Sequence, residues 1–299
     1  MPLTGTGAIT TAAALAGRGV GAFNVIQLEH AQAIVAGAES AGAPVVLQLS
    51  ENAVRYHGGL GPIAAATLSV ARAASVPVAV HLDHATTPEL VYAAVESGFT
   101  SAMFDASALG HQDNLRATAE VVEHCHAAGV WVEAELGEIG GKDGVHAPGT
   151  RTDPAEAAAF VAATGVDALA VAVGTSHAMP TRDAALDFGL IRRLRAAVPV
   201  PLVLHGSSGV ADEHLTAAVA AGMTKVNIAT QLNRVFTAAV RRALADDARL
   251  VDTRRYLGPA RTAVADEVAR LLGVLKAVPT GRGAIGPVHD PSARRPAGP

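Results

Sequence analysis

The stretch "PVAVHLDHATTPEL", residues 77–90, decides how the rest of the chain is read. Small and β-branched apolar residues run up to Val80, and the chain then turns polar at His81, Asp83 and His84. Two threonines follow, and then Pro88, a residue suited to the first turn of a helix. The order is buried strand, polar turn, helix: one βα unit with ionisable side chains at the carboxyl end of the strand.

The same unit recurs along the chain. Strand-like runs are "GVGAFNV" (19–25), "PVVLQL" (44–49), "PVAVHL" (77–82), "TSAMFD" (100–105), "VWVEAE" (130–135), "DALAVAV" (167–173), "PLVLHG" (201–206) and "TKVNIA" (224–229). Between them lie helical segments such as 27–42, 88–97, 112–128, 154–164 and 212–221. Nearly continuous apolar strands alternating with helices predict a parallel sheet covered by helices, and eight such units close a barrel. A doubly wound open sheet is the alternative, but the turn after its first strand carries a glycine-rich fingerprint that "FNVIQLE" lacks. The expected fold is an α/β (β/α)8 TIM barrel, a single domain over 1–276. Extra helices are expected at both ends, the later one within 253–276, and 277–299 reads as a Pro/Gly/Arg-rich mobile tail.

Composition agrees with this class and excludes others. Of the 299 residues half are hydrophobic and only 3% aromatic, which suits tight helix-on-sheet packing. A net charge of −4 and a pI near 6.3 argue against a nucleic-acid surface, which needs a basic footprint. No apolar run approaches the ~20 residues of a membrane span. A lone cysteine, Cys125, fits a reducing compartment, and the expected location is cytoplasmic.

In a barrel of this kind the active site forms where the strands end. Those ends read Asn24, Ser50, Asp83 with His84, Asp105, Glu135, His177, His205 and Asn227. Helix caps account for some Ser, Asn and Asp at such places, but not for three histidines from separate strands. His84, His177 and His205 are the candidate ligands of a catalytic divalent ion, since three imidazoles leave it an open position. Asp105 and Glu135 are candidates to orient them or to form an alternative metal position. His124 and His126 in "EHCHAAG" point apart on a helix and read as surface. His81 shares the inward phase of Asp83 one step deeper and reads as support. His30 and the remaining histidines read as ordinary polar positions.

The loops after strands seven and eight, "LHGSSGV" (204–210) and "VNIATQLN" (226–233), match the usual place of a barrel phosphate site. Gly206, Ser207, Ser208, Asn227, Ala229 and Thr230 would form the cradle, with backbone N–H groups at a helix N-terminus.

Together "AFNVIQLE", "HLDHATT", "FDAS", "VEAELGEIGG", "VGTSH", "LHGSSG", "VNIATQ" and "DTRRYLGPAR" resemble the successive motifs of class II, metal-dependent ketose-bisphosphate aldolases, in order over residues 1 to about 275. "SENAVRY" is most like the fructose-bisphosphate branch and "NIATQL" is nearer the tagatose branch. The resemblance implies Zn2+ on His84, His177 and His205, and Asp83 as the acid/base at the C4 hydroxyl. It places Asp105 and Glu135 near an alternative metal site. Asn24 and Ser50 would line the pocket and Arg55 would approach a second phosphate. It further implies a phosphorylated ketose substrate, a monovalent cation, and a homodimer or homotetramer.

The chain departs from the family in two loops. "GGKDGVHAPGTRTDP" (140–154) has Lys142 and Asp143 where the family has "GGxEDD", which leaves Asp143 as the candidate to move the C3 proton. "HAMPTRD" (177–183) has Ala178 in place of a glycine beside the phosphate, and Arg182 to supply positive charge. Three other readings stay open: a different phosphorylated keto sugar or sugar acid as substrate, a zinc hydrolase on the same fold, and a non-catalytic sugar-phosphate-binding relative. A hydrolase would carry His-x-His on strand one, where this chain has "FNV". The imine route needs a reachable lysine, and Lys225 lies about 7 Å below Asn227 on strand geometry.

Overall fold

A computed structural model describes residues 2–136, 151–175 and 184–277. Its strands β1 (Val20–Asn24), β2 (Val45–Ser50), β3 (Val78–Ala85), β4 (Ser101–Phe104), β5 (Trp131–Glu135), β6 (Ala168–Ala170), β7 (Leu202–Leu204) and β8 (Met223–Ile228) pair in sequence order. All are parallel, and β8 returns to β1 with Ala22 opposite Asn227, which closes the barrel. The expected (β/α)8 fold is the observed one.

Alternation along each strand sorts residues between two environments. Outward residues such as Phe23, Leu47, Leu49, Val80, Leu82 and Val132 join the apolar layer beneath the surrounding helices. The apolar inward residues form two clusters, Val20, Ala22, Val46 and Ala79 in one and Met103, Ala168, Ala170 and Val203 in the other. Larger polar side chains, Gln48, His81, Glu133 and Lys225, are buried with them, so the interior is a packed core rather than a pore.

Among the helices are α1 (Thr6–Leu15), α2 (Leu28–Ala41), α3 (Glu51–Tyr56), α4 (Gly61–Ala73), α5 (Pro88–Ser97), α6 (His111–Ala127) and α7 (Pro154–Thr164). The others are α8 (Phe188–Ala197), α9 (Asp212–Ala221), α10 (Thr230–Asp246) and α11 (Arg254–Val274). The end helices are not part of the βα repeat. Ile9 and Ala13 of α1 pack on Val20, Ala22, Val46 and Ala79, so α1 plugs the floor of the barrel. α11 lies against α2, where Gly37 leaves room for the Ala265 carbonyl and the Val268 side chain. The expected helix in 253–276 is this one.

Three strands differ from the sequence reading by more than a residue at one end, β7 because it covers only Leu202–Leu204 of the expected 201–206. β3 continues to Ala85 rather than Leu82, for a reason given below. β6 stops at Ala170, although 167–173 reads as strand. Ala172 instead exchanges bonds with Thr152, and the Val173 carbonyl accepts from Asp187 N–H, which ends the ladder. The expected tail lies outside the described residues, apart from Ala277.

Candidate active site

The carboxyl ends of the strands open on a cavity of about 230 Å³. It is lined by Asn24, Ser50, Asn52, Asp83, His84, Gly206, Ser207, Ser208, Asn227, Ala229 and Thr230. All but Asn52 are residues the sequence marks as candidates.

Asp83 and His84 both reach this mouth, although neighbours on a regular strand face opposite ways. The β3–β4 pairing shifts register between Leu82 and Ala85, and His84 takes a positive φ of 52°. A bulge of this kind re-aims one side chain, and non-glycine residues held at positive φ cluster at functional sites. The bulge turns His84 toward the end of β4, where its Nδ1 lies 3.0 Å from Asp105 Oδ2. Asp105 is held in turn by the backbone and hydroxyl of Ser107. Glu51 fixes the following turn by accepting from Thr86 N–H at 2.7 Å.

Both Asp83 oxygens are oriented by amides. Asn24 Nδ2 donates to Oδ2 at 3.2 Å and Asn227 Nδ2 donates to Oδ1 at 3.2 Å. Gln48, fully buried, supports Asn24 by donating to its Oδ1 at 2.6 Å. His205 sits deeper, 1% exposed, with its carbonyl accepting from Thr175 Oγ1 at 2.7 Å. Its ring stands edge-on to that of His84, with centroids 4.7 Å apart. Glu133 Oε1 lies 3.1 Å from Nε2, while Nδ1 is 3.7 Å from Glu135 Oε2.

Two overlapping groups could hold a cation. Ligating atoms of Asp83, His84 and His205 lie within 4.8 Å of one another, as do those of His84, Asp105 and Glu135. Imidazole and carboxylate donors, each ring fixed through its other nitrogen, suit a borderline divalent ion such as zinc. The residues fit the metal that the sequence implies. His177, the third expected imidazole, lies outside the described residues, as do Asp143, Ala178 and Arg182.

The field around these ligands favours positive charge. Burial works to lower the His84 pKa, but the Asp83 charge, the hydrogen bond to Asp105 and the Glu135 charge outweigh it, to about 9. Asp105 is half-buried, which works to raise its pKa, but the hydrogen bond and charge of the same imidazole and the bonds from Ser107 hold it well below the usual carboxylate range.

Opposite the carboxylates, Gly206 takes a left-handed φ of 66° and starts a short 3₁₀ turn, Ser207–Gly209. The Ser207 hydroxyl donates to the Asn227 carbonyl and ties this loop to the end of β8. Ala229 and Thr230 then open α10 and line the cavity, so that a helix N-terminus lies at its rim, an arrangement suited to phosphate.

The other marked positions lie further out or deeper. Arg55 stands outside the cavity lining, its side chain two-thirds exposed and paired with Glu51 one turn earlier. His30 is not an ordinary polar position but is buried and stacked on Phe236. Lys225 is fully buried with Nζ 2.8 Å from Glu133 Oε2, so its amine is out of reach of a substrate carbonyl. His124 and His126 do lie exposed on α6. The sequence reading missed Gln48, Asn52 and Glu133. Gln48 and Glu133 each sit two residues before a residue it did mark, Ser50 and Glu135, in the same inward phase.

A parallel barrel whose mouth joins imidazole and carboxylate donors, an oriented carboxylate and a glycine–serine turn beside a helix N-terminus has the make-up of a metal-dependent enzyme. Residues 5–279 match the family model described as fructose-bisphosphate aldolase class-II. The fructose-bisphosphate aldolase of Geobacillus stearothermophilus is 42% identical over 249 residues, covering 82% of this chain and 87% of that protein. That of Thermus caldophilus is 40% identical over 279 residues, covering 84% and 91%. Among solved structures, the YdjI aldolase from Escherichia coli K12 aligns with a TM-score of 0.81 at 31% identity, over 92% of this chain and 98% of that one. The chain belongs to the class II fructose-bisphosphate aldolase family. It is a metal-dependent aldolase, a carbon–carbon lyase.

Proposed function

We propose that the enzyme uses zinc to cleave a ketose 1,6-bisphosphate reversibly to dihydroxyacetone phosphate and glyceraldehyde 3-phosphate. The relatives' names favour the fructose substrate over tagatose. The observation that carries this reading is the side-by-side placement of Asp83 and His84 at the mouth, in one cavity with Gly206, Ser207, Ser208 and Thr230. Zinc would be held by His84 and His205, with His177 as third ligand, and would supply Lewis-acid stabilisation of the negative charge left on the ketone fragment.

The protein's own groups account for the rest. The Gly206–Ser208 turn and the N–H groups at Ala229 and Thr230 would bind the C1 phosphate, fixing the substrate's orientation. Asp83, aimed by Asn24 and Asn227, would take the C4 hydroxyl proton in cleavage and return it in condensation, a transfer that typically adds ~10²–10⁴-fold. Ser50 and Asn52 would face the middle of the sugar.

The test is release of dihydroxyacetone phosphate from fructose and tagatose 1,6-bisphosphates by chelator-treated and zinc-reconstituted enzyme. Cleavage is expected with zinc alone restored, and Asp83→Ala is expected to lose at least ~10²-fold in kcat while keeping its metal. An Asp83→Ala enzyme that cleaves normally removes the assigned acid/base.

A further inference from the structure

Directly beneath the site lies a charge pair that neither ligation nor proton transfer uses. Lys225 on β8 and Glu133 on β5 are both fully buried, and their Nζ and Oε2 atoms are 2.8 Å apart. Replacing such a pair with well-packed apolar residues is often neutral or stabilising, so stability alone gives little reason for it. What each member holds at its far end gives a better one. Glu133 Oε1 lies 3.1 Å from His205 Nε2. Lys225 Nζ donates to Asn227 Oδ1 at 2.8 Å, and Asn227 Nδ2 donates to Asp83 Oδ1 at 3.2 Å.

We propose that Lys225 and Glu133 are a positioning pair that sets His205 and Asp83 relative to each other from below. The inference rests on the metal-dependent reading of the site. An ammonium group has donors and no acceptor, so Asn227 must turn its Oδ1 down to Lys225 and its Nδ2 up to Asp83. An ionised carboxylate only accepts, so Glu133 selects the His205 tautomer with hydrogen on Nε2 and the lone pair on Nδ1. That Nδ1 is the nitrogen on the side of Glu135. One ion pair thus orders the amide that aims the acid/base and the tautomer of a ligand. His81, fully buried with Nδ1 2.8 Å from Ser101 Oγ, has its Nε2 3.9 Å from Glu133 Oε2.

Two double variants without net buried charge test this: Lys225→Met/Glu133→Gln and Lys225→Met/Glu133→Met. Each is titrated with Co2+ in the chelator-stripped state, its cobalt absorption spectrum is recorded, and kcat and KM for fructose 1,6-bisphosphate are measured at saturating metal. The Met/Met variant is expected to bind Co2+ ~10–100-fold more weakly with a changed spectrum, because His205 loses its orienting acceptor. The Met/Gln variant keeps an acceptor for His205; it is expected to hold metal nearly as well as wild type but to lose ~10–100-fold in kcat with KM little changed. Wild-type spectrum, affinity and kcat in both folded variants would overturn the proposal. So would failure of both to fold, which would assign the pair to stability. Failure of the underlying reading looks different: the wild-type protein itself would show neither stoichiometric metal nor chelator-sensitive cleavage.

Discussion

His84 shows how one residue can carry fold and chemistry together. Its left-handed backbone breaks the alternation of β3, and its imidazole then meets Asp105 just past the end of β4. The carboxylates that raise its pKa are the same ones that would attract a cation. His30 is the opposite case. It is buried with neither ring nitrogen hydrogen-bonded among the described residues, and burial lowers its pKa against the weaker pull of Glu29. Below the ordinary value of about 6.5 the unfolded chain takes up a proton that folded His30 resists, so stability falls with falling pH. The slope approaches ~1.4 kcal/mol per unit until the native group titrates. His30→Leu is expected to raise Tm more at pH 5.5 than at pH 7.5 in parallel thermal melts. Equal shifts at both values would mean that His30 does not titrate differently on folding.

At the scale of elements, most boundaries were legible because the signals are local. The helices 88–97, 154–164 and 212–221 stand where the sequence puts them. Two of them open on a proline and close on a left-handed glycine, Gly98 or Gly165. The inward strand-end positions Asp83, Glu135 and His205 were equally legible, since period-two alternation puts every second residue inside. The bulge at His84 was not, because a register shift depends on the neighbouring strand and no residue in "HLDHAT" announces it. Glu133 was passed over, and Lys225 was weighed only as a nucleophile, for a related reason: their meaning lies in each other, across a barrel that brings residues 133 and 225 together. Helix packing has its own sensitive point. A Cβ on Gly37 would lie 2.4 Å from the Ala265 carbonyl, so α2 and α11 meet only through glycine. Gly37→Leu is expected to cost about 1–3 kcal/mol by forcing α11 off its seat. Its thermal melt should shift down while metal content stays at the wild-type level; an unchanged Tm would show that the two helices are not so closely docked.

Across the whole molecule the barrel divides its labour between its two ends. Closure brings β3 and β7, far apart in sequence, to one rim, while α1 seals the opposite end with Ile9 and Ala13. Small apolar side chains fill the lower interior, a buried ionic layer follows, and the polar strand ends with the Gly206–Ser208 turn form the mouth. The central claim is that this stack delivers imidazoles from distant strands to one cation. Anomalous scattering at the zinc edge from crystals of the zinc-loaded protein tests it most directly. The account predicts a single strong peak per chain within bonding distance of both His84 and His205. A peak elsewhere, or zinc bound by one of these histidines without the other, would contradict it.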